Sequence, residues 1–150
     1  MKKFKFALDS VLSYKEQVLE ALQGEHAVIL AQVRAQEEVL EAAWQEYRDC
    51  NDEYCRRKAE GMTIADAMFY QNGLRAQEGL IQRETDKLEE LKKQEEAKRQ
   101  EVVDAKIDTS SIEKLKEKKL DLYSKEVAKS EEVLIDEFVS SARARASIGA

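Results

Sequence analysis

Proline is absent from all 150 residues of this chain, and its absence constrains the fold more than any other feature. Average usage would be about 5%, and proline breaks helices because it lacks the backbone N–H and its ring clashes with the preceding turn. Charged residues make up 37% and aromatic residues 7% of the sequence, which is close to the composition of coiled coils. The sequence therefore predicts long helices paired along a narrow apolar stripe.

Heptad spacing supports this prediction. Alternating steps of four and three residues between two columns are those of a coiled-coil seam. In the first half of the chain the columns are Leu12, Leu19, His26, Val33, Leu40, Tyr47, Tyr54 and Leu8, Lys15, Leu22, Ile29, Gln36, Ala43, Cys50. In the second half they include Leu74, Ile81, Leu88, Val102 and Leu91, Ala105, Ile112. The columns predict a first helix over residues 8–59 and a second over residues 64–146.

The break between the helices falls at residues 60–63. Gly61 suits a left-handed C-terminal cap, and Thr63 suits an N-cap with Asp66 three residues later. So short a turn makes the helices antiparallel, with residue i opposite roughly residue 124 minus i. We therefore expect a single-domain all-α fold, an antiparallel two-helix coiled-coil hairpin.

The second helix is expected to outrun the first and to overhang from about residue 121. Leu120, Val127 and Leu134 continue the heptad spacing there. Because an isolated helix of this length is marginal in water, the overhang either frays, contacts a second copy, or inserts into a protein partner.

Residues typical of an active site are missing from the sequence. It contains no Gly-rich phosphate loop, no Walker lysine and no HExxH motif. His26 lies in a heptad column, where a polar residue that fixes the register is expected. Cys50 and Cys55 are five residues apart on one helix, so they cannot pair and form no metal-site pattern. We predict no catalytic, cofactor-binding or metal-binding residues and no enzymatic activity.

Charge and hydropathy restrict the partners and the location. The net charge is −6 with both signs interleaved, whereas a nucleic-acid-binding chain would carry a basic stripe. No apolar run approaches the roughly 18 residues that would span a membrane. The basic N-terminus is not followed by the apolar segment of a signal peptide. The chain is expected to be cytoplasmic.

A candidate binding segment follows the turn. Residues 68–74 are the most aromatic and least charged in the chain, and an exposed apolar patch of this kind marks a docking site. Phe69 and Tyr70 could instead pack against Tyr54 and Met62 and close the turn. Both arrangements can hold if one face packs while Tyr70 and Leu74 face solvent.

Four segments resemble the FliJ family of flagellar export proteins. The opening Phe4, Phe6, Leu8, Val11 and Leu12 is similar to the family's F-x-F-x-L-x-x-V-L start. The other similar segments are Tyr70-Gln71 with Leu74 and Ile81, residues 113–118 with Tyr123, and residues 136–138 with Ala142 and Arg143. The resemblance covers nearly the whole chain, and the family is related to the ATPase stalk proteins of injectisomes.

The resemblance implies a stalk and adaptor of the type III protein export apparatus. It implies a hairpin like that of the rotary ATPase γ subunit that inserts into the export ATPase hexamer, docks to the cytoplasmic domain of the export-gate membrane protein and escorts export chaperones. Such a protein is recruited to the inner face of the cell membrane at the flagellar base, peripherally and through its partners.

The resemblance also suggests where the partners bind. Carried over by position, gate docking falls on Tyr70, Gly73, Leu74, Gln77, Leu80, Ile81 and Glu84, although Gly73 stands where the family often has a bulky apolar residue. A stalk must present a narrow helical end, and both termini are expected there. We therefore expect the ATPase ring to contact Phe4, Phe6, Leu134, Phe138, Arg143 and Arg145.

Two other classes of function fit the same features. A holdase-like hairpin chaperone would use an apolar tip to bind unfolded proteins. A passive structural coiled coil would bind only itself, as a stable dimer, whereas a stalk is expected to be a monomer.

Overall fold

The computed structural model describes residues 2–149 and contains two long helices. Helix α1 spans Asp9–Glu60 and helix α2 spans Ile64–Ile148. No strand occurs within the described residues. The predicted all-α helical hairpin is confirmed.

The turn between the helices uses two local devices. Gly61 has a φ of 98°, a left-handed conformation that glycine adopts without steric cost. The hydroxyl of Thr63 accepts a hydrogen bond of 3.1 Å from the backbone N–H of Asp66, which satisfies one of the unpaired donors at the start of α2. The C-cap and N-cap predicted for these two residues are both present.

The chain divides into two compact units. The turn unit comprises Glu20–Val103, and the terminal unit comprises the residues before and after it. In both units a segment of α1 packs against an antiparallel segment of α2.

Apolar layers in the turn unit alternate with polar ones. Its buried apolar residues are Val33, Ala43, Tyr54, Tyr70, Ile81 and Leu88. Tyr54 and Tyr70 stack with ring centroids 5.4 Å apart, which is the pairing that the register predicts. His26 lies 2.8 Å from the carboxylate of Glu95, so it is a polar seam residue, as its heptad position indicates.

The terminal unit contains a segment that the heptad pattern does not cover. Residues 2–8, called the strap here, precede α1 and are not helical. The ring of Phe4 lies 5.5 Å from that of Tyr123, and the Tyr123 hydroxyl donates a hydrogen bond of 2.6 Å to the carbonyl oxygen of Lys2.

The strap covers part of the expected overhang. Tyr123 and Val127 are half-buried, whereas all residues of 128–149 are exposed. The strap thus provides intrachain contacts for α2 beyond residue 121. Within this unit Thr109 donates a hydrogen bond to the carbonyl oxygen of Lys15 at 3.4 Å, as the register predicts.

Candidate docking surfaces

The described residues offer surfaces rather than an enclosed site. Within residues 2–149 no group of three or more His, Cys, Asp or Glu side chains could hold a metal ion. Cys50 and Cys55 are both free thiols. No helix in the described part of the chain is long and apolar enough to cross a membrane.

The residues predicted to dock to the export gate lie on or beside the seam. Tyr70, Ile81 and Glu84 are buried. The other four predicted residues are half-buried: Gly73, Leu74, Gln77 and Leu80. The partly accessible stripe of this segment therefore consists mainly of small and aliphatic side chains.

Tyr70 points inward and packs against Tyr54, as one of the two predicted arrangements has it. The other arrangement, in which Tyr70 faces solvent, is wrong. Its ring is buried against Tyr54, and its hydroxyl donates a hydrogen bond of 3.2 Å to Glu53. Burial and this hydrogen bond both raise the pKa of Tyr70. The side chain that faces solvent is Phe69, which is 76% exposed. Tyr70 belongs to the heptad column of Leu91, Ala105 and Ile112 extended backward by sevens, which places it in the seam.

Glu84 is a polar member of the same seam column. The amide of Gln36 donates hydrogen bonds to the carboxylate of Glu84 and to its backbone carbonyl oxygen, and Lys87 lies 3.2 Å from the carboxylate. The hydrogen bond from Gln36 and then that from Lys87 lower the pKa of Glu84. These contacts tie α2 to α1.

Gln77 has an acceptor that the described chain leaves unused. Its amide oxygen is buried and has no hydrogen-bond partner within residues 2–149. An unsatisfied buried polar atom costs about 1–3 kcal/mol. Because the oxygen is buried within the hairpin itself, Gln77 weakens the seam locally and does not present this acceptor to a docked protein.

Large apolar side chains at the start of α2 are exposed. They are Ile64, Met68 and Phe69. The sequence marked residues 68–74 as a candidate patch but did not include Ile64, which was assigned only as the first residue of the helix. Three exposed apolar side chains within two helical turns form a surface of the kind that binds other proteins.

The residues predicted to contact the ATPase ring fall into two groups in the terminal unit. Phe4 and Phe6 are half-buried in the strap and line an open groove of about 450 Å³ beside α2. The other predicted residues are exposed: Leu134, Phe138, Arg143 and Arg145. Phe138 is 75% exposed, so it is free to contact a partner.

An apolar part of the terminal unit surface, at Leu122, was not predicted from the sequence. This residue is exposed and lines the strap groove together with Leu115. It lies outside the seam columns, and only the strap reveals that an apolar groove forms beside it. Val133 lies on the same face of α2, two turns beyond the groove.

These features define the class of all-α helical hairpins with exposed apolar helix surfaces. The model of the family described as Flagellar FliJ protein matches residues 4–147. The chain therefore belongs to the FliJ family, whose members are adaptors rather than enzymes, and it is a flagellar export-related protein. No curated protein and no solved structure matches the chain significantly.

Proposed function

We propose that this chain is the stalk and adaptor of the flagellar type III export apparatus. The terminal part of α2 inserts into the export ATPase ring, the segment after the turn docks to the cytoplasmic domain of the export gate, and the chain escorts export chaperones. In this proposal it acts in the cytoplasm and reaches the inner face of the membrane at the flagellar base through its partners. Membership of the FliJ family supports the proposal.

The observation that carries the ATPase-ring proposal is the exposure of α2 beyond the strap. Residues 128–149 are all exposed, yet they include Val133, Leu134, Ile135, Phe138 and Val139. Large apolar groups on a helix without an intrachain partner favour a bound state in which another protein covers them. A helix about 10–12 Å in diameter can enter the central channel of a ring.

The gate-docking proposal is supported by the start of α2. Gly73, Leu74, Gln77 and Leu80 form a half-buried stripe, and the exposed ring of Phe69 precedes it by one turn. Burial of Tyr70, Ile81 and Glu84 assigns these three residues a supporting role in the docking proposal.

Two matched phenylalanines allow the two contacts to be tested separately. Phe69 and Phe138 are equally exposed, at 76% and 75%, so replacing either by alanine should change the stability by less than about 0.5 kcal/mol. Phe138→Ala should reduce stimulation of the purified export ATPase and leave gate binding unchanged. Phe69→Ala should weaken binding to the isolated cytoplasmic domain of the gate and leave ATPase stimulation unchanged.

A truncated chain completes the test. Ending the chain after Ala128 keeps the strap, Tyr123 and Val127 and removes the terminal part of α2, whose residues up to 149 are all exposed. This variant should bind the gate domain normally and fail to stimulate the ATPase. Full stimulation by the truncated chain would exclude insertion of α2 into the ring, and normal gate binding by Phe69→Ala would remove Phe69 from the docking surface.

A further inference from the structure

We propose that two copies of this chain pair reversibly through one exposed face of α2, with the two α2 helices antiparallel. The face is called the pairing face and consists of Leu115, Lys119, Leu122, Glu126, Lys129, Val133, Asp136 and Ser140. All eight residues are exposed, and they recur with alternating steps of four and three, as a coiled-coil seam does. This proposal does not depend on the proposed function.

The pairing face shares one heptad column with the seam that binds α1, because Lys119, Glu126 and Val133 follow Ile112 by sevens. These three residues are nevertheless exposed. Ile112, Lys116 and Tyr123 lie on that seam and are half-buried, and Lys116 forms an ion pair of 2.8 Å with Asp9 at the start of α1. Beyond Ile112 this column is uncovered, and the pairing face combines it with the exposed column of Leu115 and Leu122.

The order of charges along the pairing face indicates that its partner is a second copy of the same chain. When two copies are aligned antiparallel about the Val127–Ala128 bond, Lys119 lies opposite Asp136 of the second copy, and Glu126 lies opposite Lys129. Two-fold symmetry makes each of these pairs occur twice. Each charged pair joins opposite signs, so the face is complementary to itself.

Flanking and apolar positions agree with the same alignment. Leu122 lies opposite Val133 of the second copy, and the flanking Lys125 lies diagonally across from Glu132, two residues from the position directly opposite. A parallel alignment in register would instead place Lys119 against Lys119 and Glu126 against Glu126, and like charges at such positions are destabilising. Charge therefore selects the antiparallel arrangement.

The strap groove provides room for the second helix. Leu122, Lys119 and Glu126 line this groove on the side of α2, and Phe4 and Lys5 line it on the side of the strap. Val133 of the second copy would reach its apolar floor at Leu122. The positive charges of Lys5 and Lys119 would face the acidic residues around Asp136 of the second copy.

The pairing should be weak and concentration-dependent, because only three of the eight positions on each copy are large and apolar. Sedimentation equilibrium of the full chain at low salt, over about 10–500 µM, covers the range expected for such contacts. The wild-type chain should show a monomer–dimer equilibrium. A chain that stays monomeric throughout would overturn the proposal and leave the face to a different protein.

Charge reversal tests the alignment of the two helices. Recovery of pairing in a mixture of two variants also shows that each variant is folded. Lys119→Glu and Asp136→Lys should each raise the dimer dissociation constant about tenfold or more, because two attractive pairs become repulsive. An equimolar mixture of the two variants should recover wild-type affinity, because in the mixed dimer both pairs again join opposite charges. Failure of the mixture to recover, or single variants that pair normally, would contradict the assigned register.

Two controls isolate the face. Lys114→Glu makes the same charge change at an exposed position outside the face and should leave the dissociation constant unchanged. Phe138→Ala, the variant expected to lose ATPase stimulation, should also pair normally, because position 138 lies outside the stripe. An equal loss of pairing in Lys114→Glu would show a nonspecific charge effect and would exclude the proposed face.

Discussion

At the scale of single side chains, polar residues at seam positions connect the two helices by hydrogen bonds. Gln36 and Glu84 bridge the helices of the turn unit by hydrogen bonds, and Glu84 is buried. Polar seam residues of this kind fix the register at some cost in stability. The position of Glu84 in the column of Gln77 and Leu91 could have been identified from the sequence by extending that column backward.

The pH dependence of stability should reveal the Gln36–Glu84 contact. The folded-state pKa of Glu84 is lowered, first by the hydrogen bond from Gln36, so its carboxylate stabilises the folded state. That contribution is complete above the unfolded-state pKa of about 4.3 and is lost as the pH falls through the lower folded-state value. Glu84→Gln should therefore be less stable than wild type at neutral pH, and the difference should shrink in acid.

Urea unfolding followed by circular dichroism at neutral and acidic pH measures this difference. The control is Glu89→Gln, which makes the same change at an exposed position and should have little effect on the free energy of unfolding at either pH. A Glu84→Gln destabilisation of the same size at both pH values would show that the carboxylate does not carry the contact.

At the scale of the helices, glycine stabilises a helix end but destabilises a helix interior. Gly61 has a φ of 98°, and a left-handed conformation costs a residue with a Cβ about 1–2 kcal/mol. Gly73 lies inside α2, where an added Cβ would meet nothing within 4 Å. Gly61→Ala should therefore lower the free energy of unfolding by about 1 kcal/mol, whereas Gly73→Ala should raise it by about 0.5–1 kcal/mol.

Denaturant unfolding of both variants tests this pair, with the wild type measured alongside. Because the two substitutions are chemically identical, opposite signs can only come from backbone conformation. Destabilisation by Gly73→Ala would show that the small residue is needed for a close contact rather than tolerated in the helix.

Sequence patterns predicted the elements well and the strap not at all. The helices, the capped turn and the register all follow from heptad spacing, Gly61 and Thr63, because these signals are local or periodic. Phe4 packs on Tyr123, a residue far away in sequence, and no periodicity links the two. The orientation of Tyr70 could have been predicted from its column. The exposed groove at Leu122 could not, because it requires the strap.

At the scale of the whole molecule, local stability should differ widely between the two ends of α2. Residues 128–148 are helical and exposed on all sides, and an isolated helix of about 20 residues is marginal in water. In dilute solution their amides should exchange with deuterium much faster than those of residues 74–90, which pack against α1. Hydrogen exchange measured by mass spectrometry can compare the two segments within one sample.

Concentration provides the control for this exchange measurement. If copies pair as proposed, raising the concentration should slow exchange around residues 128–140 and leave residues 74–90 unchanged. Equal protection of both segments in dilute solution would show that the terminal part of α2 is stabilised by something other than a partner.

The division of the chain into a continuous turn unit and a discontinuous terminal unit affects synthesis on the ribosome. Residues 20–103 form a continuous compact unit, so we expect them to begin folding before the terminal unit is complete. The strap leaves the ribosome before its partner, because Tyr123 follows Phe4 by 119 residues. At about 5–20 residues per second, Phe4 and Phe6 remain uncovered for roughly 6–24 s. During that interval the nascent chain displays two aromatic side chains to any chaperone that samples this segment.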